Sequence, residues 1–228
     1  MEAAIHTIEL PLFPLNTVLF PHQVLPLHIF EERYRLMIRR CLAEDSTFGV
    51  VLIRQGQEVE ESAEPYSIGT IARIEESTRL PDGTMNIVTV GTERFRIHRL
   101  MHDQPYLRGE VEIFPIMMED PAELEEMTHR VREQVARYIT LIAEAAGLKI
   151  QVEQIPEESE QVGYLAAMAL QIDNKEKQEL LSSASLARIL GAELGLLRRE
   201  NTLLAWMAAT KEWPGQAQFG PSGTLLPN

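Results

Sequence analysis

The chain has 228 residues, with 34 acidic side chains against 21 basic ones and a formal charge of −13. Such a surface repels phosphate backbones, so nucleic acid is not the expected partner. With 45% hydrophobic and 24% charged residues, the composition is globular and excludes disorder along the whole length.

Cys41 is the single cysteine, so neither an internal disulfide nor a cysteine metal site can form within the chain. The opening MEAAIHTIEL lacks a basic segment followed by a long apolar run, and no secretory signal is expected. No apolar stretch approaches the ~20 residues that a membrane-spanning helix needs. A cytoplasmic location, with no membrane association, is the resulting expectation.

From residue 8 to residue 30 the chain is apolar but broken by Pro11, Pro14, Pro21 and Pro26. Proline at that density forbids a continuous helix and favours short extended pieces. Phe30, Tyr34, Met37, Ile38, Cys41 and Leu42 then recur at spacings of three and four among charged residues, predicting one amphipathic helix. Its Arg33, Arg35, Arg39 and Arg40, interspersed with Glu31, Glu32 and Glu44, read as an exposed face carrying ion pairs.

FGVVLIR (48–54) is a compact run with the composition of a buried strand. The acidic stretch 55–66 reads as a loop. The segment from Ile68 alternates as a strand to Leu80, turns at Pro81-Asp82-Gly83, and resumes as MNIVTV. ERFRIHRL, after Gly91-Thr92, and YLRGEVEIFPI add two more strands. Tight turns between successive strands predict an antiparallel meander.

The pattern changes at Asp120. Asp120-Pro121-Ala122-Glu123 combines a capping carboxylate, proline at the first helical position and a glutamate three residues on. Helical spacing continues to a stop at Gly147. Further helices are predicted over 158–172, 175–181 and 185 to about 211. The tail after Trp213 is rich in proline and glycine and reads as flexible.

Motifs for chemistry are sparse. Neither GxxxxGK followed by Ser or Thr nor GxGxxG occurs, which argues against a phosphate loop. The six histidines form no HExxH, and His98 and His102 are four apart on a predicted strand, where that spacing does not converge on a metal. Gly220-Pro221-Ser222-Gly223 resembles the nucleophile segment of Ser-Lys proteases. Ser222 lies in the tail, with Lys211 the last lysine before it, so it reads as chance. No catalytic residue, metal or cofactor is expected.

LPLFPLNTVLFP (10–21), LPLHIFEERYRLMI (25–38), FGVVLI (48–53), IGTIARIEESTRLPDGTMNIVTVGTERFRI (68–97) and PYLRGEVE (105–112) together resemble the Lon N-terminal domain. That domain is the substrate-recognition region of Lon-type ATP-dependent proteases. KEKQELLSSASLARILGAELGLLRRE (175–200) is similar to its helical part, so the resemblance covers about residues 8 to 205.

The resemblance implies an α+β architecture: a PUA-like antiparallel β barrel or folded sheet with one inserted helix, followed by an α-helical bundle. The expected division is a β-rich subdomain over 1–117, a helical one over 118–212 and a flexible tail over 213–228. The resemblance reaches neither an AAA+ ATPase nor a Ser-Lys peptidase region. A non-catalytic module binding unfolded or damaged polypeptides, or other proteins, is therefore expected, with a place in protein quality control. RNA binding is the alternative, because PUA-like folds include RNA binders, and a peptidase comes last. Self-association is left open. The contact residues expected for a partner are Phe20, Pro21, His22, Leu80 and Pro81, because they set large apolar side chains beside turns; the other reading is that Phe20 and Leu80 plug the barrel ends.

Overall fold

The computed structural model describes residues 6–56, 64–148 and 155–210. Its elements are β1 (Ile8–Leu15), β2 (Val24–Ile29), α1 (Glu32–Ala43), β3 (Thr47–Gln55), β4 (Glu64–Pro65), β5 (Ile68–Arg79), β6 (Met85–Met101) and β7 (Arg108–Ile113). The helices α2 (Pro121–Ala145), α3 (Ser159–Ala169), α4 (Asn174–Ser182) and α5 (Leu186–Thr210) follow. They divide into two compact units: Met1–Pro115 with Asn174–Ser182, and Ile116–Asp173 with Ser183–Asn228.

In the first unit the strands close on themselves. The order β1-β7-β6-β5-β3 returns to β1 through a parallel β1–β3 pairing, with Leu12 opposite Gly49 and Leu15 opposite Leu52. A closed ring leaves no edge among those five strands. The antiparallel meander expected from the turns is present in the β3, β5, β6 and β7 pairings, and β1 closes it. The apolar first strand pairs with two strands far along the chain, which turn spacing cannot reveal. β2 lies outside the ring, antiparallel to the first part of β6.

The strands expected on either side of Gly91 are one strand, β6. Glycine is needed there because a Cβ would lie 2.2 Å from the Phe20 carbonyl oxygen. Inside the barrel, Leu10, Leu12, Val51, Ile71, Phe95 and Val111 form one buried cluster. A second joins Phe13, Phe48, Ile87 and others to the inner face of α1, which buries Tyr34, Met37, Ile38 and Cys41. The ends of the predicted stripe behave differently: Phe30 precedes the helix and is 60% exposed, and Leu42 is 37% exposed.

α4 belongs by its contacts to the β-rich unit. Its side chains explain this. Gln178 Nε2 donates to the Ile68 carbonyl (3.0 Å), and Asn174 Nδ2 donates to the Asn16 carbonyl (2.7 Å). The buried Arg94 on β6 donates through Nη1 to the Leu181 carbonyl at 2.8 Å. Tying polar groups so far apart in sequence is a tertiary event, invisible to local periodicity.

The second unit is built on α2, α3 and α5. Leu124, Val131, Val135 and Tyr138 of α2 bury against Leu186, Leu190, Leu194 and Leu197 of α5, with Val162 and Ala166 of α3. α2 starts as its sequence requires, with the Asp120 carboxylate accepting from the Ala122 N–H at 2.8 Å and proline at its first position. It stops at Gly147, whose φ is +71°. There the Leu148 N–H reaches the Ala143 carbonyl (2.8 Å) and the Gly147 N–H reaches Glu144 (3.0 Å). This double closure satisfies carbonyls that the helix end would otherwise leave unpaired. Ser222 and the tail beyond residue 212 lie outside the described residues.

Candidate functional site

β2 has the sequence VLPLHI, and its residues alternate. Leu25 and Ile29 point into the core at 9% and 1% exposure. Val24, Pro26 and His28 are exposed, and Phe30 continues their row one residue past the strand. The His28 and Phe30 rings stack with centroids 6.2 Å apart. The result is an apolar strip on the surface, about 20 Å long at ~3.3 Å per residue.

The strip lies on an open edge. Among the described residues β2 pairs with β6 and with no other strand. The Gly91 N–H donates to the Gln23 carbonyl at 2.9 Å, which aims the Gln23 carbonyl at β6. Alternation along the antiparallel register then aims the backbone groups of Leu25, Leu27 and Ile29 at β6. Those of Val24, Pro26 and His28 point away from it. Pro26 fits this register, because a proline N cannot donate and is confined to such an edge.

The sequence-derived contact residues fall at the two ends of this strand. The His22 N–H bonds the Gly91 carbonyl (2.8 Å) at one end. Leu80, Pro81 and Gly83 form the hairpin turn that leads into Met85, which pairs with Ile29 at the other. The two loops are therefore separated by the whole β2–β6 ladder rather than brought together. Phe20, 1% exposed, and Pro21 are buried, so neither side chain has surface to offer a partner. His22 and Pro81 are exposed and Leu80 is half-buried. The strip between the loops was missed because VLPLHIF looks like any proline-interrupted apolar run. Its only local signal is leucine on both sides of Pro26.

In the second unit, Met118, Leu124, Thr128, Arg132, Glu157 and Ser159 contribute to the lining of a groove of about 1030 Å³. Its floor is internally satisfied: the Thr128 hydroxyl lies 2.6 Å from the Leu124 carbonyl and 2.8 Å from the Ser159 hydroxyl. Its walls carry both signs of charge, which defines no ligand class. Among the described residues no group of three or more His, Cys, Asp or Glu could hold a metal ion. His98 instead meets Glu112 across the strands at 2.8 Å. Nor, among those residues, is any helix long and apolar enough to cross a membrane.

Residues 9–199 match the family model of the ATP-dependent protease La (LON) substrate-binding domain. The chain belongs to that family. It is 28% identical over 198 residues to a Lon protease of Rhizobium meliloti, covering 85% of this chain and 24% of that protein. It is 30% identical over 188 residues to Lon protease 2 of Herpetosiphon aurantiacus, covering 78% of this chain and 22% of that one. The chain thus spans about a quarter of the length of the curated relatives it matches. Among solved structures, the Lon N-terminal domain protein of Xanthomonas campestris matches with TM-score 0.58 and 28% identity, over 87% of this chain and 98% of that one. The N-terminal domain of the Mycobacterium avium complex Lon protease matches at TM-score 0.65 and 19% identity, over 84% and 98% respectively, a likeness of fold. The α+β, PUA-like architecture is that of Lon N-terminal domains.

Proposed function

We propose that the chain is a non-catalytic recognition module that binds unfolded or damaged polypeptides along β2, in the service of protein quality control. The observation that carries this reading is the open β2 edge beside the exposed row Val24, Pro26, His28 and Phe30. An extended segment laid against that edge exchanges main-chain hydrogen bonds with Val24 and His28 and sets alternate side chains against the apolar row. Main-chain pairing reads no sequence, and folded proteins have already spent their backbone groups internally. The edge therefore selects for chains that are unfolded. Membership of a substrate-binding family supports the same reading.

The test is binding of a permanently unfolded, fluorescently labelled protein, followed by anisotropy. Val24→Asp and Phe30→Asp, both at outward positions, each weaken binding by about fivefold, the loss typical of an interface contact. Val24→Pro deletes an outward N–H without touching the ladder and weakens binding, whereas Val24→Thr leaves it largely intact. Binding that is absent in the parent chain, or indifferent to all of these changes, would overturn the reading.

A further inference from the structure

Arg35, Arg39 and Arg79 line one small pocket of about 90 Å³ together with Gly83 and Met85. α1 supplies the first two, one helical turn apart, and the last residue of β5 supplies the third. Met85 pairs with both Arg79 and Ile29, so the pocket sits at the Phe30 end of β2.

The polar contacts of these arginines orient them without neutralising them. Arg35 Nη1 donates to the Gly83 carbonyl at 3.2 Å, and Arg39 Nε donates to the Arg35 carbonyl at 3.0 Å. The buried Arg35 Nε donates to nothing among the described residues. Neighbours on the same helix behave as the sequence predicted, Arg33 pairing with Glu31 and Arg40 with Glu44. No such carboxylate is found for Arg35, Arg39 or Arg79 among the described residues. Asp82, beside the pocket, already accepts from the Thr84 N–H (3.0 Å) and hydroxyl (2.7 Å). Three like charges around one space repel one another, in a chain whose 34 acidic residues could have supplied a counter-charge.

We propose that this pocket binds a single phosphate group. The charge argues for phosphate over a carboxylate, since three guanidinium groups match a dianion with several acceptor oxygens better than a monoanion with two. Planar arginine forks bind phosphate oxygens in pairs, and such charge-assisted bonds are the strong ones. The small volume selects for the anionic group alone. The phosphate comes either as the free ion or as a phosphoester, and the site requires nothing of the polypeptide surface proposed for β2.

The experiment is calorimetric titration of the whole chain with inorganic phosphate and, separately, with O-phosphoserine, chloride being used to hold ionic strength constant. Saturable one-to-one binding of at least one is expected, with sulfate competing. Arg39→Gln and Arg79→Gln, both exposed and checked for unchanged circular dichroism, each weaken it about tenfold, as for loss of a charged hydrogen bond. Tighter binding of O-phosphoserine identifies a phosphoester as the ligand, and binding of phosphate alone identifies the free ion. No saturation by either compound, or binding unaltered in the Arg39→Gln/Arg79→Gln double variant, would overturn the proposal.

Discussion

The Ser185 hydroxyl donates to the Glu119 carboxylate, 66 residues earlier in the chain, at the start of α5. The other carboxylate oxygen accepts from the Ala187 N–H at 3.1 Å, and the Ser185 oxygen accepts from Arg188 N–H at 3.1 Å. Met117 holds the segment in place, exchanging backbone bonds with Ala184 and Leu186. A carboxylate thus sits at the positive end of a 25-residue helix, where it is favoured. The Ser185 hydroxyl, and next the Ala187 amide, hold the Glu119 carboxyl below its ordinary value against partial desolvation.

Ser185→Ala is therefore expected to destabilise the helical unit by about 1 kcal/mol, the usual loss of a helix cap. Glu119→Gln loses the charge at the helix end. Because the folded-state pKa of Glu119 is depressed, its stabilisation is present above the unfolded value near ~4.3 and fades as pH falls through the folded one. Urea melts followed by circular dichroism should show a Glu119→Gln deficit at pH 7 that shrinks by pH 3. An equal deficit at both would refute the assignment.

Glu193 behaves in the opposite sense. It is fully buried in α5, its two carboxylate oxygens find no hydrogen-bond partner among the described residues, and burial raises its pKa well above the usual range. An acid whose folded pKa is raised destabilises increasingly as pH climbs above the unfolded value. Glu193→Leu should then stabilise the protein at pH 7 to 8 by about 1–3 kcal/mol, the cost of an unsatisfied buried polar group, and by less at pH 4. A variant less stable than the parent at pH 8 would mean that the carboxyl has a partner in solution.

Gly69 should tolerate no side chain. A Cβ would stand 2.5 Å from the Val50 carbonyl oxygen, 2.6 Å from Val51 Cγ1 and 2.7 Å from Phe95 Cζ. The carbonyl belongs to the neighbouring backbone and cannot swing aside. Gly69→Ala is expected to cost about 3 kcal/mol or more in denaturant melts. A midpoint within error of the parent would show that the barrel can expand there.

Cys41, 2% exposed, has its thiol pKa pushed up to about 12, chiefly by burial. Little thiolate exists at pH 8, and the native protein should resist a thiol-reactive dye over hours but react at once in denaturant. Labelling of the native protein within minutes would contradict the buried setting.

Local pattern carried much of this molecule. The spacing of Tyr34, Met37, Ile38 and Cys41 marked α1, and Asp120-Pro121 and Gly147 marked both ends of α2, because caps and amphipathic stripes are short-range effects. The extended nature of the proline-broken start followed from proline geometry alone. What only the tertiary structure decided depends on pairing between distant segments: the closure of β1 on β3, the transfer of α4 to the barrel by Gln178 and Arg94, and the open edge of β2. Between the two readings of Phe20, surface contact and buried plug, only packing could decide, since burial is set by what packs over a residue. The four arginines of α1 show the division most clearly. Sequence counted their charges, and the fold gave counter-ions to Arg33 and Arg40 while turning Arg35 and Arg39 toward Arg79. Neighbouring charges along a chain fix the total, but only folding fixes which of them meet.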